Sequence, residues 1–147
     1  MASRETRAPD GRGGVSRPGA GALDQPFDRS GLYALRAAVA AHAADLGAPA
    51  ERVSHMVIVA SELASNAIQH GGGQGRLRLW RADRALHCEV TDTGPGIPDP
   101  RRAGTAPPST LAPNGRGLWI VRRLAAAMKI ESGTRGTRVT VAVPLTP

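Results

Sequence analysis

The feature that most constrains the fold of this chain is a long helical pattern that stops abruptly. Residues 50–70 contain neither glycine nor proline, and apolar side chains recur at helical spacing through their first half. Pro49 precedes the pattern and three glycines at 71–73 follow it, which is typical of a helix start and a helix stop. We therefore predict a helix over residues 50–70 that packs on another layer of the domain.

The end of this predicted helix carries polar residues where a buried face is expected. Glu62, Asn66 and His70 follow at intervals of four and share one sector of the helix. One turn earlier the same sector holds Ile58 and Val59, so we expect it to be buried there. A carboxylate and an amide entering a buried face cost free energy unless a partner binds them. The rest of the chain must supply that partner.

Composition limits the classes of protein to which the chain can belong. Its 147 residues are enough for one domain with a tail. No apolar run has membrane-spanning length, and residues 1–22 lack the apolar core of a signal peptide, so we expect a cytoplasmic protein that does not bind membranes. The single Cys88 has no partner for an internal disulfide.

The formal net charge of +7 suits a nucleic-acid or acidic-protein partner. However, the arginines are scattered and aromatic residues are scarce, whereas nucleic-acid sites need dense basic patches and stacking platforms. We therefore expect no direct nucleic-acid binding.

The first half of the chain predicts a leader, a short segment and a helix. Residues 1–23 are rich in Gly, Arg and Pro and are expected to form a flexible leader, with the folded domain over residues 24–147. Leu23 to Phe27 is either an edge strand or a docking segment. Ser30 is a candidate N-cap for a first helix that runs to about residue 46.

Two strand patterns follow the long helix and form a predicted antiparallel hairpin covered on one face. Residues 76–81 alternate, and in the next strand Leu86, Cys88 and Val90 alternate against polar neighbours. Asp92 follows Val90 by two residues and therefore continues the inward face. This carboxylate, like the polar pair on the helix, needs a partner.

The remainder predicts a lid, a third helix and two strands. Residues 97–114 show no clear period and are expected to form a lid, since long loops inside compact domains are commonly functional. A glycine-rich start at residue 115 opens a helix predicted to run to about Met128. Short strands near 128–131 and 138–143 complete the chain. Three helices on one face of a mixed, mainly antiparallel sheet make a two-layer α+β sandwich.

These elements place four features on one side of the sandwich: Glu62 with Asn66, Asp92 with its glycines, the lid, and the glycine-rich start of the third helix. The glycines at 115 and 117 leave backbone N–H groups free at a helix start, which suits a phosphate. Asn66 offers an oxygen ligand suited to Mg²⁺. Asp92 can accept a hydrogen bond from an exocyclic amine and so select adenine, and Glu62 can activate a nucleophile near the terminal phosphate. Together they suggest a Mg²⁺–nucleotide pocket.

Three motifs in this order resemble the N, G1 and G2 boxes of the GHKL (Bergerat-fold) ATPases. They are Glu62-x-x-x-Asn66, Asp92-x-Gly94-x-Gly96 and Gly115-x-Gly117-Leu118. The segment Ser61–His70, the run Gly115–Val121 and the closing Gly136-Thr137-x-Val139 are similar to the stand-alone anti-sigma-factor serine kinases of RsbW/SpoIIAB type. The resemblance covers residues 27 to 144.

The resemblance implies an ATP-dependent protein serine kinase with a defined site. Asn66 is expected to bind Mg²⁺, and Asp92 the adenine amine. Gly94 and Gly96 would shape the adenine pocket, and Thr137 would assist at the base. Gly115, Arg116 and Gly117 would lie against the phosphates, and Glu62 would be the catalytic general base. The implied partners are a sigma factor and a STAS-domain anti-sigma-factor antagonist, and the kinase is expected to form a homodimer.

The chain departs from the family pattern at one position and differs from a complete sensor kinase. Pro113 stands where many relatives carry a further glycine, which bears on how the lid covers the phosphates. No phosphoacceptor-histidine helix precedes the domain, so we expect the chain not to be a complete sensor histidine kinase.

Each candidate residue also has a purely structural interpretation. Glu62 and Asn66 could form a solvated helix end, and Asp92 could be a turn residue. The glycines at 115 and 117 could be a tight helix entry, Arg116 a solvated side chain, Thr137 an ordinary strand residue, and His70 a helix-terminal residue favoured by the dipole. A catalytically weak or inactive ATP-binding regulator that sequesters a partner is the alternative function.

Overall fold

The computed structural model describes residues 21–97, 103–105 and 116–146, with the Arg116 side chain left out. The helices and strands in this part of the chain have these bounds: β1 Leu23–Asp28, a 3₁₀ turn Arg29–Gly31, α1 Leu32–Asp45, α2 Ala50–His70, β2 Gln74–Ala82, β3 Ala85–Asp92, α3 Arg116–Leu124, β4 Ala127–Gly133 and β5 Gly136–Pro144.

The five strands form one sheet in the order β1-β2-β3-β5-β4, and every described pairing is antiparallel. The three helices cover one face, where alternate strand residues meet them in a single apolar core. The predicted two-layer α+β sandwich is therefore confirmed, with a sheet that is antiparallel throughout its described pairings. The segment before α1 is an edge strand, β1.

The helix predicted over residues 50–70 is confirmed with both ends in place. Its inward residues Met56 and Val59 are fully buried against α1 and the sheet. The expectation of a buried sector one turn before Glu62 is wrong at Ile58, which is 41% exposed. Val59, the other residue of that sector, is fully buried, so the buried stripe of α2 leaves out Ile58.

The first helix begins differently from the prediction. Asp28, rather than Ser30, is the capping side chain: its Oδ1 accepts hydrogen bonds from the backbone N–H of Ser30 (3.0 Å) and Gly31 (3.2 Å). These bonds close a 3₁₀ turn, and α1 starts after it at Leu32. Hydrogen bonds lower the pKa of the Asp28 carboxyl group. The bond from the Ser30 hydroxyl contributes most, and these two backbone bonds add to it.

The third helix is shorter than predicted and ends at Leu124, not near Met128. Ala126 donates its backbone N–H to the Ala142 carbonyl at 2.8 Å, and Ala127 pairs with Ala142 as β4 begins. Alanine and methionine favour a helix locally, but pairing with β5 overrides that preference. β4 therefore starts earlier and runs longer than the predicted strand.

The outer face of the sheet carries a row of ion pairs and one buried aromatic stack. The charged side chains alternate in sign across the strands and pair as follows: Arg76 and Arg78 with Asp24, Arg78 and Arg138 with Glu89, and Arg138 and Lys129 with Glu131. Trp80 and His87 stack with ring centroids 5.5 Å apart and are only 4% and 3% exposed. Burial lowers the pKa of the His87 imidazole.

Two predicted regions fall wholly or largely outside the described residues. The flexible leader, predicted over residues 1–23, is described only at its last three positions. The lid predicted over 97–114 is described only at Ile97 and at residues 103–105, where the Ala103 carbonyl accepts a hydrogen bond from Arg122 Nε at 2.6 Å. Within the described part of the chain, no helix has the length and apolarity needed to cross a bilayer.

Candidate functional site

The helix-facing side of the sheet is built in rows, and its last row is polar. Val90, Val139 and Ile130 lie opposite one another on β3, β5 and β4 and close the apolar part of this face. The next row, two residues further along each strand, is Asp92, Thr137 and Ser132. Three hydrogen-bonding side chains therefore stand together where the apolar core ends.

Asp92 is held in this row by backbone donors. Its Oδ1 accepts hydrogen bonds from the N–H of Gly94 at 2.9 Å and from the N–H of Thr137 at 3.2 Å. Both of these described bonds use Oδ1, whereas Oδ2 lies against Gly71 and accepts neither of them. The strand pairing of Asp92 with Thr137 places the two residues that the resemblance assigned to the base side by side.

The end of α2 lies directly against this carboxylate. A Cβ atom on Gly71 would collide with the carboxylate carbon and Oδ2 of Asp92, and a Cβ on Gly94 would lie 2.9 Å from the His70 carbonyl oxygen. Side chains larger than hydrogen are thus excluded at both glycines. The close approach brings the end of α2 and the loop after β3 into one wall of the site.

The same loop is fixed at its far end by β4. Gly96 has a φ of +93°, and a Cβ there would lie 2.5 Å from the Gly133 carbonyl oxygen and 3.0 Å from Ser132 Oγ. The backbone N–H of Ile97 donates to Ser132 Oγ at 2.6 Å, and Ser132 Oγ is 2.8 Å from Thr137 Oγ1. Glycine is therefore needed at residue 96 both for its conformation and for space.

A second group of predicted residues meets at the start of α3. A Cβ atom on Gly117 would lie 2.7 Å from Glu62 Oε1 and 3.6 Å from Asn66 Nδ2. Glu62 and Asn66 are both half-buried and come from the last turns of α2. The helix start predicted to bind phosphate therefore lies against the carboxylate and amide of α2. Gly115 falls outside the described residues, and Arg116 is described only as the first residue of α3.

The two groups lie at different heights along the same helix. Asn66 contacts the α3 side, and Gly71 contacts Asp92 five residues later, which corresponds to about 7.5 Å along the helix axis. The structure thus brings together most of the predicted residues in two groups, named here by the part of the nucleotide that they are expected to bind. The base-side group is Asp92, Gly94, Gly96 and Thr137, and the phosphate-side group is Glu62, Asn66 and Gly117. His70 is exposed at the end of α2 and contributes its backbone carbonyl to the wall.

Two residues of the site were not singled out from the sequence. Ser132 follows Ile130 by two residues, so the alternation that identified Asp92 also places Ser132 on the inward face of β4. Gly71 was interpreted only as a helix stop. Its contact with Asp92 depends on how α2 lies across the sheet, and no sequence pattern reports that distance.

Residues 26–143 match the family model described as "Histidine kinase-like ATPase domain". The chain belongs to this GHKL-type ATPase family. The match extends from β1 to β5 and includes both groups of site residues. The chain is therefore an ATP-binding, GHKL kinase-like domain.

Solved structures and one curated relative are consistent with this membership. The structure of the RsbU and RsbW domains of Rv1364c from Mycobacterium tuberculosis superposes with a TM-score of 0.64 at 21% identity, covering 84% of this chain and 32% of that one. The histidine kinase domain of the blue-light activated kinase from Erythrobacter litoralis EL346 gives 0.56 at 24% identity, covering 80% and 64%. These likenesses show the fold.

The signal transduction histidine-protein kinase AfsQ2 of Streptomyces coelicolor is 40% identical over 42 residues. That match covers 29% of this chain and 8% of the kinase. The chain therefore spans only a small part of this relative and about a third of the Mycobacterium tuberculosis chain in the solved structure.

The geometry of the site is compatible with ATP. The base-side group offers the carboxylate of Asp92 at the end of the sheet, and Gly94 and Gly96 leave space that side chains would fill. The phosphate-side group offers a helix start beside the side-chain amide of Asn66. Among the described residues no cluster of three His, Cys, Asp or Glu side chains could hold a metal ion, so a cation here would take most of its ligands from phosphate and water. The residues present fit a Mg²⁺-bound nucleotide.

Proposed function

We propose that this chain is an ATP-dependent protein serine kinase that acts as an anti-sigma factor. The observation that carries the proposal is the contact of Gly117 with Glu62 and Asn66, because it joins a helix start suited to phosphate with a candidate base and a candidate metal ligand. A solvated helix end would not hold these two side chains against a second helix.

At the base-side group, Asp92 Oδ2 accepts a hydrogen bond from the exocyclic amine of adenine. Guanine presents a carbonyl oxygen at that position, which would face a carboxylate without a proton between them. Thr137 bonds the base next to Asp92, and Gly94 and Gly96 keep the pocket wide enough for the ring. The site is therefore selective for ATP over GTP.

At the phosphate-side group, the free N–H groups at the start of α3 bind the phosphates. Gly115 and Gly117 allow the backbone to approach closely, and Arg116 adds positive charge. Asn66 supplies an amide oxygen for Mg²⁺, and bound Mg²⁺ would neutralise charge on the phosphate oxygens. This arrangement positions the triphosphate along α2 from Gly71 toward Asn66.

Glu62 is the proposed general base. Its carboxylate is held against Gly117 at the start of α3, one helical turn from Asn66. A serine hydroxyl that reaches the terminal phosphate along this edge would transfer its proton to Glu62 as its oxygen bonds the γ-phosphorus, while the bond from that phosphorus to the bridging oxygen breaks and ADP leaves. The residue is half-buried, with its carboxylate against α3.

The proposed partners are a sigma factor and a STAS-domain antagonist whose serine is phosphorylated in the cytoplasm. Support comes from the motif resemblance and from the fold shared with a protein that contains an RsbW domain. A homodimer is proposed on the same resemblance. Phosphorylation of the antagonist would free the kinase to hold the sigma factor.

The first test is Mg²⁺–ATP binding by calorimetry on the wild type, Asp92→Asn and Asn66→Ala. Asp92→Asn should lose binding, because the acceptor is replaced by an amide that also donates. Asn66→Ala should weaken binding only when Mg²⁺ is present. If neither substitution changes the affinity, the two residues do not form one nucleotide pocket.

The second test is transfer of ³²P from ATP to candidate STAS-domain proteins. Glu62→Gln should reduce transfer by roughly 100-fold with little change in ATP affinity. Because the relatives include histidine kinases, the product is then treated with acid, which removes phosphohistidine and spares phosphoserine. Nucleotide-dependent capture of a partner without any transfer would instead establish the sequestering regulator.

A further inference from the structure

Ser132 occupies the end of the polar row, and no role proposed so far uses it. Its Oγ lies between two groups: the backbone N–H of Ile97 at 2.6 Å and Thr137 Oγ1 at 2.8 Å. Ile97 follows the loop that closes over Asp92, and Thr137 is the strand partner of Asp92. Ser132 therefore connects both neighbours of the carboxylate.

The bonding of Ser132 favours one direction for the hydroxyl pair. A serine hydroxyl has one proton and two lone pairs. The Ile97 N–H donates to one lone pair of Ser132 Oγ. If the Ser132 proton points to Thr137 Oγ1, Ser132 accepts a hydrogen bond from Ile97 and donates one to Thr137. Hydrogen bonds that run in one direction polarise one another, so accepting from Ile97 makes Ser132 a better donor. The proton of Thr137 is then left to point away from Ser132.

We propose that Ser132 is a positioning residue that presents Thr137 as a hydrogen-bond donor beside the acceptor Asp92. This inference rests on the proposed function, since it concerns base recognition in the same pocket. Adenine offers an amine donor and, next to it, a ring-nitrogen acceptor. The amine matches the acceptor Asp92, and the ring nitrogen matches the donor Thr137. Guanine carries the opposite pattern on the same edge. Ser132 thus contributes to selectivity without touching the base.

The contact with Ile97 gives Ser132 a second positioning effect. A Cβ on Gly96 would already lie 3.0 Å from Ser132 Oγ, so the loop backbone is packed on this side chain. Without the hydroxyl, the Ile97 N–H loses its acceptor, and a buried donor without a partner is costly. The loop that carries Gly94 and Gly96 is therefore held in place partly by Ser132.

The decisive comparison is between Ser132→Thr and Ser132→Val, which are nearly equal in size and differ in the hydroxyl group. Calorimetry measures the Kd of Mg²⁺–ATP and of 1-deaza-ATP, in which the ring nitrogen is replaced by C–H. The wild type and Ser132→Thr should prefer ATP by about 5- to 12-fold, the worth of one hydrogen bond. Ser132→Val should reduce that preference to about twofold or less.

A double-mutant cycle tests whether Ser132 acts through Thr137. In a Thr137→Val background the preference for ATP over 1-deaza-ATP should be lost already, and Ser132→Val should change it no further. Thr140→Val removes a buried hydroxyl from the opposite face of the same strand and should leave the preference at its wild-type value. An additive effect of Ser132→Val and Thr137→Val would overturn the proposed coupling.

The outcomes separate this inference from the proposed function. A wild type that binds ATP, together with a Ser132→Val variant that keeps the full preference, overturns the role of Ser132 alone. A wild type that binds no ATP overturns the proposed function and this inference with it. If Ser132→Val fails to fold, Ser132→Ala replaces it in the same comparison with Ser132→Thr.

Discussion

Gly71 is the position at which a single methyl group should do most damage to the site. A Cβ there would overlap the carboxylate carbon and Oδ2 of Asp92 and would lie 2.7 Å from the Ala67 carbonyl oxygen. The Ala67 carbonyl is fixed, because it accepts the N–H of Gly71 at 2.8 Å in the last turn of α2. The carboxylate of Asp92 must therefore move.

The size of the effect follows from what the displaced carboxylate loses. Moving it breaks or lengthens its bonds from the N–H groups of Gly94 (2.9 Å) and Thr137 (3.2 Å) and displaces the proposed acceptor for the adenine amine. A hydrogen bond to a charged group is worth about 1.5–3 kcal/mol, so Gly71→Ala should raise the Kd of Mg²⁺–ATP roughly 10- to 100-fold. Overpacking should also lower the free energy of unfolding by about 1–3 kcal/mol.

The assay is calorimetric titration with Mg²⁺–ATP, accompanied by denaturant unfolding of the same samples. Gly133→Ala is the matched control, because a Cβ at that strand position meets no atom within 4 Å. It should bind ATP like the wild type and be equally stable or slightly more stable. A folded Gly71→Ala variant with wild-type ATP affinity would refute the argument that Asp92 contacts the base from beneath Gly71.

Three further predictions concern other parts of the chain. Gly117→Ala places a Cβ 2.7 Å from Glu62 Oε1, so phosphoryl transfer should fall roughly 100-fold in a kinase assay. Burial raises the pKa of the Cys88 thiol to about 12, so the folded protein should resist alkylation at pH 8 and react once unfolded in guanidinium. Burial lowers the pKa of His87 from its ordinary 6.5, so on acidification the unfolded chain takes up a proton at this residue before the folded protein does. The free energy of unfolding should therefore decrease as pH falls below 6.5 and level off below the folded-state pKa. His87→Phe should flatten this pH dependence.

The parts of the fold that follow from local patterns could be predicted from the sequence. Residues 50–70 combine helical spacing with a proline before them and glycines after them, and the helix has those bounds. The inward position of Asp92 followed from alternation alone. These features depend on neighbours along the chain, so the sequence contains the information that decides them.

The parts that depend on packing between elements could not be predicted. Three alanines after Leu124 favour a longer helix, but Ala127 pairs with Ala142 instead. Asp28 and Ser30 are equally good caps, and only the backbone path into α1 selects Asp28. His87 lies on the face of the sheet away from the helices, yet it is buried there and stacks on Trp80.

The polar row explains why a ligand site can exist here without weakening the core. The row next to it, Val90, Val139 and Ile130, is apolar and belongs to the core that the helices cover. Asp92, Thr137 and Ser132 stand one row further, where α2 ends and the desolvation cost of a polar group is lowest. They are hydrogen-bonded to one another and to the loop backbone within the protein itself. The proposed base recognition would therefore use preorganised groups, while the separate apolar rows supply stability.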